Sequence, residues 1–295
     1  MEKSSCVLMQ TVVGVPKKAV FSLRGKAGSG LSAVAVRMEN HRRSKMATAN
    51  RRLRIFDNFE QLSHAAAENF AGLIEKRKTV HDRFSVALSG GSTPERLYEI
   101  LAEEPYKQGI PWQKIDLFWV DERCVNPDHD ESNYGLVKEL LLRRIEIPEE
   151  NIHRIKGELS PEIAAAQYER ELIDYFGKYS TDFDLIILGF GEDGHTGSIF
   201  PGSTEIHDYD SLVLTSEVSY DGRPSRRVTL GLRALKQARN VFVLAFGKAK
   251  AEIARLVLVQ NDSELPISLV SPEYGKLFWM IDREAARFLP KDFLD

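Results

Sequence analysis

Apolar residues along this chain fall into short runs divided by polar turns. Leu53–Phe56, Phe84–Leu88, Ile115–Val120, Ile152–Ile155, Leu185–Leu188, Leu212–Thr215, Arg227–Leu232, Val241–Phe246, Ile267–Val270 and Leu277–Ile281 each have strand length, and Gly, Pro, Asp, Asn or Ser residues bound most of them. Runs such as Leu185–Leu188 are apolar throughout, as strands buried on both faces of a parallel sheet must be. Between them the spacing turns helical. Phe59, Leu62, Ala66, Phe70 and Leu73 form one stripe, and Leu97, Ile100 and Leu101 another. Leu136, Leu140 and Leu141 follow Ser132 or Asn133 as cap. A helix from Ser160-Pro161-Glu162 runs to about Phe176, where Gly177 stops it, and Ile253, Leu256 and Val257 mark a later one. Strands alternating with helices predict an α/β protein: one domain over 51–295, built on a doubly wound, mostly parallel sheet with helices on both faces.

The chemistry sits where strands end. Phe84–Leu88 runs into Ser89-Gly90-Gly91-Ser92-Thr93-Pro94, with Pro94 expected at the first helical position and Thr93 as cap. Free N–H groups, a helix dipole and the Ser92 and Thr93 hydroxyls make such a loop a phosphate cradle. It is not a Walker loop, because no Gly-Lys-Ser/Thr follows. Ile115–Val120 ends in Asp121, Glu122 and Arg123. Leu185–Leu188 enters a turn with four glycines, Gly189, Gly191, Gly194 and Gly197, around Glu192, Asp193 and His195.

Gly189-x-Gly191-x-x-Gly194 spells a dinucleotide fingerprint. That reading needs a helix next and an acidic residue at the following strand end. Here Phe200-Pro201-Gly202-Ser203 continues the loop, and the strand candidate 211–216 has no acid before Glu217. In a parallel sheet the three loops would share one edge. Arg227, at a strand start, and Lys248 or Lys250, after Gly247, add positive charge. An anion cradle, cations and an imidazole point to a small phosphorylated substrate and acid–base chemistry by His195. No Gly-x-Ser-x-Gly elbow offers a serine nucleophile. The loop 126–131 reads as solvated rather than metal-binding, and Cys124 as a packing residue; no metal and no cofactor are expected.

Charge divides the chain. Residues 1–50 hold nine Lys/Arg, two acids and six serines, so of the net −3 they carry +7 and residues 51–295 carry −10. A basic, acid-poor N-terminal extension has the profile of an organelle transit peptide, a plastid or mitochondrial one, with a disordered tail or an upstream extension before Met46 as alternatives. The acidic body argues against nucleic acid as a partner. No apolar run approaches the 18 residues of a membrane span. Two cysteines, Cys6 and Cys124, give no disulfide framework and suit a reducing compartment.

Several motifs, in order, carry a resemblance: Leu88-Ser-Gly-Gly-Ser-Thr-Pro94, Asp121-Glu-Arg-Cys-Val125 with Ser132-Asn-Tyr134, Gly189-Phe-Gly-Glu-Asp-Gly-His-Thr196 with Phe200-Pro-Gly202, Arg227-Val-Thr229, Gly247-Lys-Ala-Lys250, Leu265-Pro266 and Leu277–Asp282. Over roughly residues 53–288 the chain resembles the family shared by 6-phosphogluconolactonases and glucosamine-6-phosphate deaminases, and within it the lactonases. The resemblance implies a Rossmann-like domain and hydrolysis of 6-phospho-D-glucono-1,5-lactone, a small phosphorylated sugar lactone, in the oxidative pentose phosphate pathway. It implies His195 as general base, Arg123 with Asp193 and Asp121 as its catalytic company, and Gly90, Gly91, Ser92, Thr93, Arg227 and Lys250 as phosphate ligands. Whether Asp193 or Asp121 orients the imidazole or Arg123 stays open, as does monomer against homodimer and plastid against cytoplasm. The deaminases place a glutamate in a Phe-Asn-Glu-Pro run after the Asp-Gly-His motif; this chain has Ser198-Ile-Phe-Pro201. They tend to carry tyrosine where this chain has Arg123. A catalytically silent sugar-phosphate binder is the other alternative. Two departures from the lactonase pattern stand out: Gly197 replaces the usual alanine, and Tyr220–Arg226 replaces a proline-rich run expected to cover the sugar phosphate.

Overall fold

A computed structural model describes residues 50–77, 83–178, 180–219 and 222–293. The expected N-terminal extension lies outside the described residues except for Asn50, as do Tyr220 and Asp221 of the expected turn. The strands are β1 (Arg51–Phe56), β2 (Phe84–Leu88), β3 (Ile115–Trp119), β4 (Asp121–Arg123), β5 (Ile152–His153), β6 (Leu185–Leu188), β7 (Val213–Glu217), β8 (Arg226–Leu230), β9 (Asn240–Ala245) and β10 (Lys276–Asp282). The helices are α1 (Phe59–Arg77), α2 (Ser92–Leu101), α3 (Tyr106–Gly109), α4 (Asn133–Val137), α5 (Pro161–Phe176), α6 (Leu232–Gln237), α7 (Ala251–Arg255) and α8 (Pro266–Leu269).

Seven strands form one sheet in the order β1-β10-β9-β6-β2-β3-β5, every pair parallel. Every residue of β2, β3 and β6 is buried, so both sheet faces are covered there, as the largely apolar runs required. On α1, Leu62, Ala66, Phe70 and Ile74 are the buried stripe at four-residue spacing. On α5, Ala164, Tyr168 and Leu172 do the same. Burying each large side chain of this kind contributes about 1.5–3 kcal/mol. The Tyr168 hydroxyl also accepts from the Trp119 N–H at 2.9 Å and donates to the Trp119 carbonyl at 2.7 Å, satisfying the last residue of β3. Gly177 ends α5 with φ 90°, a conformation a β-carbon disfavours.

From the centre, the chain moves outward through β2, β3 and β5. It then returns to β6 beside β2 and moves out the other way through β9 and β10. β2 and β6 are therefore the neighbours at which winding reverses, and the loops leaving their C-terminal ends flank the crevice where such sheets bind ligands.

Three expectations are corrected. β4, β7 and β8 form a separate antiparallel sheet, with β8 in the middle. Asp121–Arg123 is thus a strand, not a loop. Val120 makes the transition: its N–H donates to Leu88 in the large sheet at 2.8 Å, and its carbonyl accepts from Leu230 in the small one at 2.7 Å. The run 267–270, expected as a strand, is helical, because Pro266 takes a first-turn position that fixes φ for a helix. Thr93 does not cap α2. Gly91, at φ 87°, holds the cap position, the helix starts at Ser92, and no side chain caps it. Among the described residues, no helix is long and apolar enough to cross a membrane, and no group of three or more His, Cys, Asp or Glu could hold a metal ion.

Candidate active site

A cleft of about 270 Å³ opens between the β2 and β6 loops. Gly90, Gly91, Ser92, Thr93, Asp121, Arg123, His195, Arg227 and Lys250 all line it. Of the sequence candidates, Asp193 and Lys248 do not line it; Asp193 stands behind the wall, against His195.

One end is built by the Ser89–Thr93 loop. The Ser89 carbonyl accepts from the Tyr98 hydroxyl at 2.6 Å, and the Ser89 hydroxyl donates to Ile187 of β6 at 2.7 Å. The loop is thereby tied to its own helix and to the neighbouring strand. The uncapped first turn of α2 presents backbone donors with the positive end of the helix dipole behind them.

Cations line the cleft as well. The antiparallel register sets Arg123 of β4 directly opposite Arg227 of β8. Arg227 is 2% exposed, its guanidinium lies 5.4 Å from the Phe200 ring centroid, and its Nε donates to the Pro224 carbonyl at 3.1 Å. Burial lowers its pKa, and the facing Arg123 lowers it further. Arg227 Nη2 and Arg123 Nε are buried donors without a partner among the described residues. Two guanidiniums face to face with unmatched donors suit a site for an anion. Lys250 joins them, its ammonium held below its usual pKa by burial, with Glu192 and Asp193 working the other way. Lys248 is not among the lining residues.

The other end is the β6 turn. Asp193 accepts from His195 Nδ1 at 2.6 Å and from the His195 backbone N–H at 3.1 Å. Gly191 donates its N–H to the His195 carbonyl at 2.8 Å, and a β-carbon on Gly191 would overlap the His195 ring and the Asp193 carboxylate. Glycine is therefore the residue that lets the turn close on this pair. Phe200 packs against the imidazole at a centroid distance of 4.5 Å. Burial raises the Asp193 pKa, but hydrogen bonds from His195 outweigh it and hold the carboxyl below its usual range.

Asp121 is held from the β6 turn and from the start of α4. Its Oδ2 accepts from the buried Ser198 hydroxyl at 2.6 Å and its Oδ1 from Asn133 at 3.2 Å. Arg123 is held instead by Glu131, whose carbonyl accepts from Nη1 at 2.7 Å and whose carboxylate lies 3.3 Å away. Burial pushes the Cys124 thiol up to about 11, as befits a packing cysteine. Sequence reasoning missed Asn133, Glu192 and Arg223 as lining residues. The Ser132-Asn-Tyr134 motif and the 220–226 loop were the signals available for two of them.

Known proteins resemble this chain in sequence and in fold. The family model for glucosamine-6-phosphate isomerases/6-phosphogluconolactonase matches residues 57–279. A 6-phosphogluconolactonase of Haemophilus influenzae is 35% identical over 237 residues, covering 79% of this chain and 98% of that protein. "Probable 6-phosphogluconolactonase 1" of Arabidopsis thaliana is 34% identical over 253 residues, covering 81% and 94%. The crystal structure of the Thermotoga maritima 6-phosphogluconolactonase matches with a TM-score of 0.68 at 34% identity, over 79% of this chain and 99% of that one. A monomeric glucosamine-6-phosphate deaminase, 23% identical with a TM-score of 0.70, shares the fold. Matched by the family model over residues 57–279, and in sequence and fold by relatives over most of its length, the chain belongs to the family of glucosamine-6-phosphate isomerases and 6-phosphogluconolactonases.

Proposed function

We propose that this protein hydrolyses 6-phospho-D-glucono-1,5-lactone to 6-phosphogluconate. The observation that carries the reading is one cleft with two unlike ends: a helix N-terminus with Arg227 and Lys250 at one, and the Asp193–His195 pair at the other, with Arg123 lining the same cleft. A phosphate suits the first and a lactone carbonyl the second. The run Ser198-Ile-Phe-Pro201 offers no carboxylate to a deaminase mechanism; Ile199 and Phe200 are instead buried.

With Nδ1 bonded to Asp193, His195 Nε2 takes a proton from water as the water oxygen attacks C1 of the lactone. The carbonyl electrons move onto oxygen, and Arg123 or a backbone N–H of the 189–194 turn stabilises that oxyanion. When the carbonyl re-forms, the bond from C1 to the ring oxygen breaks, and His195 returns the proton to that oxygen. The acid product then ionises. A positioned base contributes about 10²–10⁴-fold, and an oxyanion donor about 10²–10³-fold. Nothing in these steps transfers an electron, so the reading requires no cofactor.

The acid-poor segment 1–50 is read as an import sequence, a plastid being the compartment proposed, and residues 51–295 as the catalytic domain. The deciding experiment gives purified protein freshly prepared 6-phosphogluconolactone and, in parallel, glucosamine 6-phosphate. Acid release without ammonia release is the expected result. Ammonia release, or turnover of neither substrate, overturns the reading.

A further inference from the structure

Glu122 has no part in the steps above, yet it is 2% exposed on β4, between Asp121 and Arg123. Four donors converge on its carboxylate. Oε1 accepts the N–H groups of Arg123 at 2.8 Å and Asn133 at 2.7 Å. Oε2 accepts the Tyr134 N–H at 2.8 Å and the Ser132 hydroxyl at 3.1 Å. Capping α4 does not require this, since Ser132 Oγ already accepts from the Gly135 N–H at 3.0 Å. Burial pushes the carboxyl up to about 7, against the hydrogen bonds from those backbone groups.

The turn that Glu122 grips sends two groups back to the cleft. Glu131 holds the Arg123 guanidinium through its carbonyl at 2.7 Å. Asn133 donates to the Asp121 carbonyl at 2.8 Å and lies against Gly90, where a β-carbon would overlap its amide. Arg123 is therefore fixed at both ends by one carboxylate: at its backbone directly, and at its side chain through the 131–134 turn. The phosphate end has separate supports in Tyr98, Ile187 and Pro224.

Resting on the lactonase reading, we propose that Glu122 is a positioning residue, fixing the 131–134 turn so that the Arg123 guanidinium faces the reacting carbonyl. The effect of losing it falls on the chemical step and spares phosphate binding. Glu122→Gln is the direct variant, because the amide replaces one acceptor oxygen by a donor. Whichever way the amide turns, two donors then meet its NH₂ group.

The test measures kcat and KM for 6-phosphogluconolactone, and inhibition by 6-phosphogluconate, for wild type, Glu122→Gln, Arg123→Met and the double variant. Circular dichroism checks folding. A misplaced catalytic group costs up to about 10²-fold, so kcat of Glu122→Gln is expected to fall by about 10- to 100-fold with KM and product inhibition unchanged. In the double variant the loss is expected to match that of Arg123→Met alone, a non-additivity that a general loss of stability does not produce. If Glu122→Gln does not fold, Ser132→Ala removes one donor from the same carboxylate and is expected to lower kcat at constant KM. A folded variant with wild-type kcat, or additive losses, overturns the inference and leaves the lactonase reading standing. Wild-type protein inert toward the lactone overturns both.

Discussion

At the scale of single residues, the His195–Asp193 contact determines which imidazole nitrogen carries the proton. Asp193 accepts from Nδ1 at 2.6 Å, so the basic lone pair is on Nε2. Its depressed carboxyl keeps that acceptor ionised. His195→Gln is therefore expected to lose about 10²–10⁴-fold in kcat while phosphosugar affinity stays, because the Gly90–Thr93 loop, Arg227 and Lys250 are untouched. Asp193→Asn should lose kcat as well, because an amide can accept or donate and so allows the wrong tautomer. Direct assay of lactone loss, corrected for spontaneous hydrolysis, measures both; wild-type kcat in either variant excludes the general-base role. His195, Arg123 and the Gly-Gly-Ser-Thr loop could be picked out from sequence because each stands at the end of an apolar run. Asn133 and Arg223 were signalled only by the Ser132-Asn-Tyr134 motif and the 220–226 loop, because neither stands at the end of an apolar run.

Among elements, the difference between what periodicity shows and what it hides is clearest at β4. Its three residues are all charged, and no alternation distinguishes a three-residue strand from a loop. What makes it a strand is β8, far along the chain, which supplies the antiparallel partner. The run 267–270 failed the other way: three apolar residues in a run of four fit a strand or a helical turn equally, and Pro266 decided. The buried strands of the large sheet were legible because both faces demand apolar residues. Away from the cleft, β3, β5 and α5 meet at a charged cluster. Asp116 accepts from Arg83 Nε at 2.6 Å and from the Tyr175 hydroxyl at 2.7 Å, while His153 Nδ1 lies 2.7 Å from Glu171 and Nε2 lies 3.6 Å from Asp116. Burial opposes the His153 charge, but the Asp116 and Glu171 carboxylates outweigh it and push the imidazole up to about 9, above its ordinary 6.5. A folded-state value above the unfolded one stabilises fully below pH 6.5, and that stabilisation is lost as pH rises through about 9. Urea unfolding should therefore show wild type losing on the order of 1 kcal/mol or more across this window, with His153→Gln losing correspondingly less over the same range. Equal pH dependence in both would show that the cluster does not link protons to folding.

At the scale of the whole molecule, the reversal of winding between β2 and β6 gathers loops from distant parts of the chain at one crevice. Among the described residues, those lining it lie between Ser89 and Lys250, and the family match spans 57–279. The strongly basic stretch falls outside that match: +7 within residues 1–50, against −10 in the rest. An import sequence must be dispensable to the domain it delivers, and its information must be portable. Two linked outcomes follow. Removing residues 1–50 should leave kcat and KM for the lactone unchanged, since the family match begins at residue 57. Fusing residues 1–50 to a fluorescent reporter should carry the reporter into plastids of a plant cell. A diffuse cytoplasmic reporter alongside an active truncated enzyme would leave the catalytic reading intact and remove the plastid assignment. Loss of activity on truncation would instead make the segment part of the working enzyme, and the proposed boundary at residue 51 would be wrong.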